Sequence, residues 1–221
     1  MTVKNRKSRQ APKPQNEVRR KQAGRYSFYR KCYRLARFFI GIFYRINVSG
    51  AGSIPSGAIL VCANHSSNLD PFLIAFAFGI NCHMHIIAKA ELFRIPIISV
   101  IMRRLGMISV DRGILDLTTV KESLGYLKTG EKVVIFPEGT RAASDDAIAA
   151  KMGAIKLAER AEVPITPVHV PRKKRLFGKI NIIIGEPYLV SKQAGKRSNE
   201  EYESLTIDLM TKIRKLGSSK P

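Results

Sequence analysis

A chain of 221 residues, 45% of them hydrophobic, can fill one α/β-sized domain with an appendage but is too short for two comfortable domains. Its 38 Lys and Arg against 17 Asp and Glu give a net charge of +21, which calls for a polyanionic partner, either nucleic acid or an anionic membrane surface with phosphorylated ligands. Cys32, Cys62 and Cys82 are an odd, scattered set without metal-ligand spacing, which argues against a disulfide framework and for a reducing compartment.

The chain opens with Lys4, Arg6, Lys7, Arg9, Lys13, Arg19, Arg20, Lys21 and Arg25 against the single acid Glu17. With almost no large apolar side chains, residues 1–27 read as a disordered polybasic arm. A basic, acid-poor start also resembles an organelle transit segment, but its dense lysines and prolines favour a solvated tail, and no cleavable signal is apparent. From 28 to 46, Phe28, Cys32, Leu35, Phe39, Phe43 and Ile46, joined by Tyr29, Tyr33, Ala36 and Ile40, recur at helical steps opposite Arg30, Arg34, Arg37 and Arg45. Its apolar run falls far short of the roughly 20 residues that cross a bilayer, so this amphipathic helix is expected to lie in the membrane interface or to pack on the domain. Residues 47–221 form the remaining domain. Nucleic acid is the weaker partner, because no helix-turn-helix, zinc-finger or RNP-like pattern accompanies the arginines.

Ala58 to Ala63 is a continuous apolar run fit for a strand buried on both faces, and it stops at Asn64-His65-Ser66-Ser67-Asn68-Leu69-Asp70. Asp70, Pro71 and the apolar stretch to Ile80 read as an N-cap, a first-turn proline and a buried helix. If the irregular loop brings Asp70 to one imidazole nitrogen of His65, the other nitrogen is left as a base suited to neutral pH. Cys62, three residues earlier, lies in the apolar strand and reads as packing rather than as a nucleophile.

Asn81 to Ala88 is a second strand, with His83 and His85 on one face; no acidic or cysteine ligand stands near them in the sequence, so they read as ordinary strand histidines and no metal is expected. Ile95 to Met102, between Arg94 and Arg103-Arg104, is apolar and reads as core, or as the lip of an acyl groove. Gly106-Met-Ile-Ser-Val-Asp-Arg112 is a short strand that ends by offering a guanidinium at the sheet edge. A helix over Leu115 to Leu127 follows, then a buried strand over Lys132 to Phe136 that breaks at Pro137-Glu138-Gly139-Thr140-Arg141. There Pro137 ends the strand, Gly139 allows a tight turn with exposed N–H groups, and Arg141 offers a planar fork for phosphate oxygens. A shape-only turn would explain Pro and Gly but not Glu, Thr and Arg together.

Val163 to Val168 and Ile180 to Gly185 supply further strands, separated by the basic turn Arg172-Lys173-Lys174-Arg175. Ser198-Asn-Glu-Glu201 is a capping box that opens a C-terminal helix, with Gly217 as its stop. Alternating strands and helices from Ile46 to Gly185 imply one α/β domain: a mixed, largely parallel sheet with helices on both faces, preceded by the amphipathic helix.

Four blocks in order, His65-x4-Asp70, Gly106 to Arg112, Phe136 to Arg141 and Val163 to Val168, resemble the glycerolipid acyltransferase family, which includes the 1-acylglycerol-3-phosphate O-acyltransferases. The resemblance implies the glycerol-3-phosphate acyltransferase-like fold and transfer of a fatty acyl group from acyl-CoA or acyl-acyl carrier protein to the sn-2 hydroxyl of 1-acylglycerol 3-phosphate. It implies His65 as base oriented by Asp70, and Glu138, Gly139, Thr140, Arg141 and Arg112 as acceptor-binding residues, with no permanently bound cofactor. N–H groups near Gly139 are candidate oxyanion donors. The segment Arg141 to Asp146 departs from the family's usual spacing. The expected partners are lysophosphatidate, an acyl thioester, an anionic membrane and acyl carrier protein, with the protein peripheral or monotopic on the cytoplasmic face. The alternatives are the same chemistry on glycerol 3-phosphate, another lysophospholipid or a lyso-ornithine lipid, and a noncatalytic protein that binds anionic membranes or nucleic acid.

Overall fold

The computed structural model describes residues 15–111, 117–142, 150–191, 193 and 195–218, with side chains from residue 22 onward. Among the described residues seven strands, β1 (Arg45–Ser49), β2 (Leu60–Ala63), β3 (Met84–Lys89), β4 (Ile108–Val110), β5 (Lys132–Ile135), β6 (Ile165–His169) and β7 (Lys179–Ile184), form one sheet in the order β1-β7-β6-β2-β5-β3-β4. Adjacent strands are parallel except β6 and β7. This is the mixed, largely parallel sheet that the sequence predicts.

The reason β2 sits at the centre is its side chains. Every residue of it is buried, and successive residues serve opposite cores, as the period of two requires. Val61 and Ala63 join Leu73 and Ile74 of α2 (Asp70–Phe78) and Tyr33, Ala36 and Ile40 of α1 (Gln15–Phe43). Leu60 and Cys62 join Leu127 of α4 (Leu117–Lys128), Leu157 of α5 (Gly153–Ala161) and Leu209 and Ile213 of α6 (Asn199–Ser218). Helices therefore cover both faces.

Three sequence expectations are corrected. The amphipathic helix begins at Gln15 rather than Phe28 and ends at Phe43, with Arg45 and Ile46 passing into β1. Gln, Glu, Lys, Arg and Ala favour the helix there, and tertiary contacts hold it: Gln22 donates to Glu131, the Arg25 guanidinium lies over Tyr126 and Tyr26 packs edge-on to His83. The rest of the expected disordered arm, residues 1–14, lies outside the described residues. Secondly, α3 (Pro96–Arg104) has no buried residue, although its apolar sequence reads as core; Ile97 is 76% exposed and Val100 65%. It lies outside the two helical layers, against the 3-10 turn Ala90–Arg94. Thirdly, α6 continues through Gly217, whose missing side chain admits the His169 ring: a Cβ there would lie 2.3 Å from Nε2. The capping box opens the helix as expected, with the Ser198 N–H donating to Glu201 at 2.7 Å and the Glu201 N–H to the Ser198 hydroxyl at 3.2 Å.

Candidate active site

The adjacent parallel strands β6, β2 and β5 end on the same edge of the sheet, where open α/β sheets usually bind ligands. Each delivers part of one cluster. After β2 comes the loop 64–69. Asn64 locks it to the end of β6, donating to the Val170 carbonyl at 2.7 Å and accepting from the Val170 N–H at 2.9 Å. His65 and Asp70 meet at 3.0 Å, Nδ1 to Oδ2, with side chains 16% and 0% exposed.

Asp70 was expected to cap α2, but Leu69 is the N-cap residue and Asp70 already belongs to the helix. Its carboxylate turns back into the loop. Oδ2 accepts the N–H groups of Ser66 at 2.6 Å and Ser67 at 2.8 Å as well as the imidazole, and Oδ1 accepts the Ser67 hydroxyl at 3.2 Å. Burial alone would push this carboxyl up, yet hydrogen bonds from His65, Lys174, Ser66 and Ser67 bring it down to about 2, so it is ionised at neutral pH. An ionised acceptor at Nδ1 selects the tautomer that carries its proton there and leaves the Nε2 lone pair open. Among the described residues Nε2 has no hydrogen-bond partner. The ring stacks on Phe136 at 4.2 Å between centroids, which fixes its plane.

After β5 comes the turn 137–141. Gly139 takes φ +67°, and a Cβ there would lie 3.1 Å from the Lys151 side chain, so the glycine admits both the turn and a cation above it. Arg141 is exposed and donates to the Asn68 side chain at 3.1 Å, while the Ala142 N–H donates to the His65 carbonyl at 2.9 Å. The turn and the histidine loop are thus tied together, with Arg141 and Lys151 as cations beside the turn. Glu138 is turned inward. It is buried and gripped by Arg172 at 2.5 Å and 3.4 Å, an arrangement that spares an anionic substrate from meeting its charge. The Gly139 N–H is also spoken for, by the Phe136 carbonyl at 3.0 Å, and so is not available to an oxyanion. Thr140 is exposed on the same turn. Arg112 and residues 143–149 lie outside the described residues.

After β6 come two residues of the basic turn Arg172 to Arg175. Arg172, besides holding Glu138, donates to the carbonyls of Ala142 at 2.9 Å and His65 at 3.2 Å. Lys174 reaches Asp70 Oδ1 at 2.8 Å, and its side chain is 5% exposed. No local signal marks either one; sequence could have found them only through the strand order that puts β6 beside β2.

Cys62 is fully buried and burial pushes its thiol up, which agrees with packing. His83, just before β3, and His85 within it need a correction. Glu131, invisible as a neighbour in the sequence, accepts from His85 Nε2 at 2.7 Å, and one ligand-type atom from each of His83, His85 and Glu131 lies within 4.8 Å of the others. His85 Nδ1 is bonded to the Gly106 carbonyl at 2.7 Å, so both its nitrogens are already engaged.

A family model described as Acyltransferase matches residues 45–171, more than half of the chain. The 1-acyl-sn-glycerol-3-phosphate acyltransferase of Bacillus subtilis is 30% identical over 196 residues, covering 85% of this chain and 96% of that one. Its counterpart in Borreliella burgdorferi is 31% identical over 157 residues, 70% of this chain and 61% of its own length. The probable enzyme of Mycoplasma pneumoniae is 34% identical over 67% of this chain and 60% of its own. The chain thus spans about three fifths of the length of those two relatives. In fold it is similar to the crystal structure of the 1-acyl-sn-glycerophosphate acyltransferase of Thermotoga maritima, with a TM-score of 0.62 and 24% identity over 95% of this chain and 86% of that one. The family match covers all three strand ends that build the cluster up to Pro171, and the chain belongs to the acyltransferase family.

Proposed function

We propose that this protein transfers a fatty acyl group from acyl-CoA or acyl-acyl carrier protein to the sn-2 hydroxyl of 1-acylglycerol 3-phosphate, giving phosphatidate and the free carrier thiol. The observation that carries this reading is the His65–Asp70 pair with one imidazole nitrogen unoccupied, on a loop joined through Asn68 to Arg141, with Lys151 against Gly139 of the same turn. The relatives' names supply the acceptor. In the proposed reaction His65 Nε2 takes the hydroxyl proton as the oxygen attacks the thioester carbonyl carbon. The tetrahedral intermediate expels the thiolate, which recovers that proton from the imidazolium, so no acyl group is ever attached to the protein. Asp70 stays ionised and holds the ring. Arg141 binds the acceptor phosphate and brings the hydroxyl to the base, an advantage of position rather than of chemistry. Arg112 is retained as a second phosphate ligand.

The substrates are lipids, and the surface fits delivery from a membrane. No described helix is long and apolar enough to cross one. On α1, Tyr29, Tyr33, Ala36 and Ile40 turn to the domain while Leu35, Phe38, Phe39, Ile42 and Phe43 stay exposed. Arg104, the last residue of α3, lies 4.4 Å over the Phe28 ring of α1, and Ile97, Ile98 and Ile101 of α3 are exposed. Exposed apolar side chains among arginines suit an anionic bilayer interface. Free cysteines at 32, 62 and 82 support placement on the cytoplasmic face.

The test is release of carrier thiol by the purified protein with acyl-CoA or acyl-acyl carrier protein and a panel of acceptors. Release that depends on lysophosphatidate, with Arg141→Ala raising its KM about tenfold or more, is the expected result. Turnover of a different acceptor alone would reassign the substrate, and binding to vesicles without turnover of any acceptor would refute the enzymatic reading.

A further inference from the structure

The mechanism above uses His65 and Asp70 but gives no task to the buried cation on the other side of the carboxylate. Lys174 Nζ lies 2.8 Å from Asp70 Oδ1, and it also donates to the Ser66 hydroxyl at 2.9 Å and the Pro171 carbonyl at 2.7 Å. Its three ammonium protons therefore have three acceptors inside the dyad's own loop and the segment that carries it. A lysine held in this way has no donor left for a substrate phosphate.

We propose that Lys174 is the positioning residue of the His65–Asp70 pair: it fixes the carboxylate from Oδ1 while Oδ2 serves the imidazole, and it restrains how strongly the carboxylate favours imidazolium. The proposal rests on the acyl-transfer reading for its kinetic effects, though not for its spectroscopic one. An ionised aspartate alone would stabilise the protonated base, which cannot accept a proton. A cation on its far oxygen opposes that effect, and the other charges facing the pair do not replace it. Arg172 contacts the His65 carbonyl and spends its charge on Glu138, and Arg141 reaches the loop through Asn68.

The segment that delivers Lys174 is also tied to the apolar side of the molecule. Three residues on, Phe177 adopts φ +60°, donates its N–H to the Phe43 carbonyl at 2.7 Å and packs its ring against Phe43 at 5.9 Å. Gly178 then accepts the Arg45 N–H at 3.0 Å. The loop 171–178 is thereby pinned at the end of α1, and Leu176 and Phe177 are left exposed beside the helix's own exposed aromatics. The cation that orients the base is carried by a loop anchored to the helix that faces lipid in the proposed function.

The test compares wild type, Lys174→Met, Lys174→Gln and Lys174→Arg. The His65 imidazole resonance, assigned by its loss in His65→Asn, is followed by NMR across pH, and kcat and KM for lysophosphatidate are measured across pH. The proposal expects the Met and Gln variants to keep native circular dichroism and to titrate His65 at higher pH than wild type. Their acid limb of kcat/KM should move in the same direction, with kcat down about tenfold or more at neutral pH, KM changed little, and Arg restoring most of the loss. An unmoved imidazole titration overturns the proposal whatever the activity shows. A raised KM with an unmoved acid limb overturns it in favour of phosphate binding. If wild type transfers no acyl group to any acceptor, the catalytic reading falls, and the imidazole titration still decides the role of Lys174.

Discussion

At the C-terminal ends of the parallel strands His65 meets Asp70 at 3.0 Å, and at their N-terminal ends His85 meets Glu131 at 2.7 Å. Both carboxyls are held at about 2, because hydrogen bonds from the histidine and its neighbours outweigh a burial that would raise them. The pairs differ in what remains of the ring. His65 has Nε2 unpartnered among the described residues and keeps 16% of its side chain exposed. His85 is fully buried, bonded at both nitrogens and stacked on Tyr126 at 3.4 Å between centroids. A histidine–carboxylate contact is therefore not enough to make a base. What distinguishes one is a nitrogen left over in a place that a ligand can reach.

The comparison can be broken by removing each pair's members. Asp70→Asn loses the ionised acceptor and leaves the buried Lys174 without its counter-ion, so it should lower stability, and acyl transfer normalised to the folded fraction should still fall about a hundredfold or more, a general base's usual share. Unchanged turnover would mean that the loop alone orients His65. His85→Ala should behave differently. It strands the Glu131 carboxylate in a nearly buried place and should cost about 3–5 kcal/mol in denaturant unfolding, while the folded fraction retains its kcat within a few-fold.

Arg172→Met should destabilise by a similar or smaller amount by leaving Glu138 unpaired. Arg172→Met with Glu138→Gln should recover part of the loss, so a double-mutant cycle in chemical denaturation reads the coupling directly. The smallest effect is a pH slope. Burial, then the neighbouring His85, pushes His83 down to about 4 from an ordinary 6.5. The unfolded chain therefore binds the extra proton between those values, and stability falls as pH drops from about 6.5 to about 4. His83→Asn should flatten that part of the stability profile and leave the steeper loss below about pH 4, where Asp70 and Glu131 begin to take up protons in the unfolded chain.

What was legible in the sequence was local. The loop from Asn64 to Asp70 declares itself because an apolar run ends in polar residues before a proline, and the turn at Pro137 does so because proline and glycine punctuate a strand. The capping box at Ser198 works within four residues. The missing pieces depend on strand order. Lys174 and Ser66 are 108 positions apart, His85 and Glu131 are 46 apart, and each pair meets only because β6 lies beside β2 and β5 beside β3. For α3 the sequence left core and groove lip both open, and only the core reading falls, since an apolar run shows that a segment avoids water without showing whether protein or lipid covers it. Asp70 was assigned to the cap for a similar reason: its residue type fits that role, and only the backbone shows Leu69 there instead.

The most direct test of the central claim is thiol release in lysophosphatidate vesicles by wild type, His65→Ala and His85→Ala, each normalised to its folded fraction. The account predicts a loss of about 10²- to 10⁴-fold for His65→Ala and a near-wild-type rate for folded His85→Ala. Equal losses in the two variants, or full activity without the His65 imidazole, would contradict it.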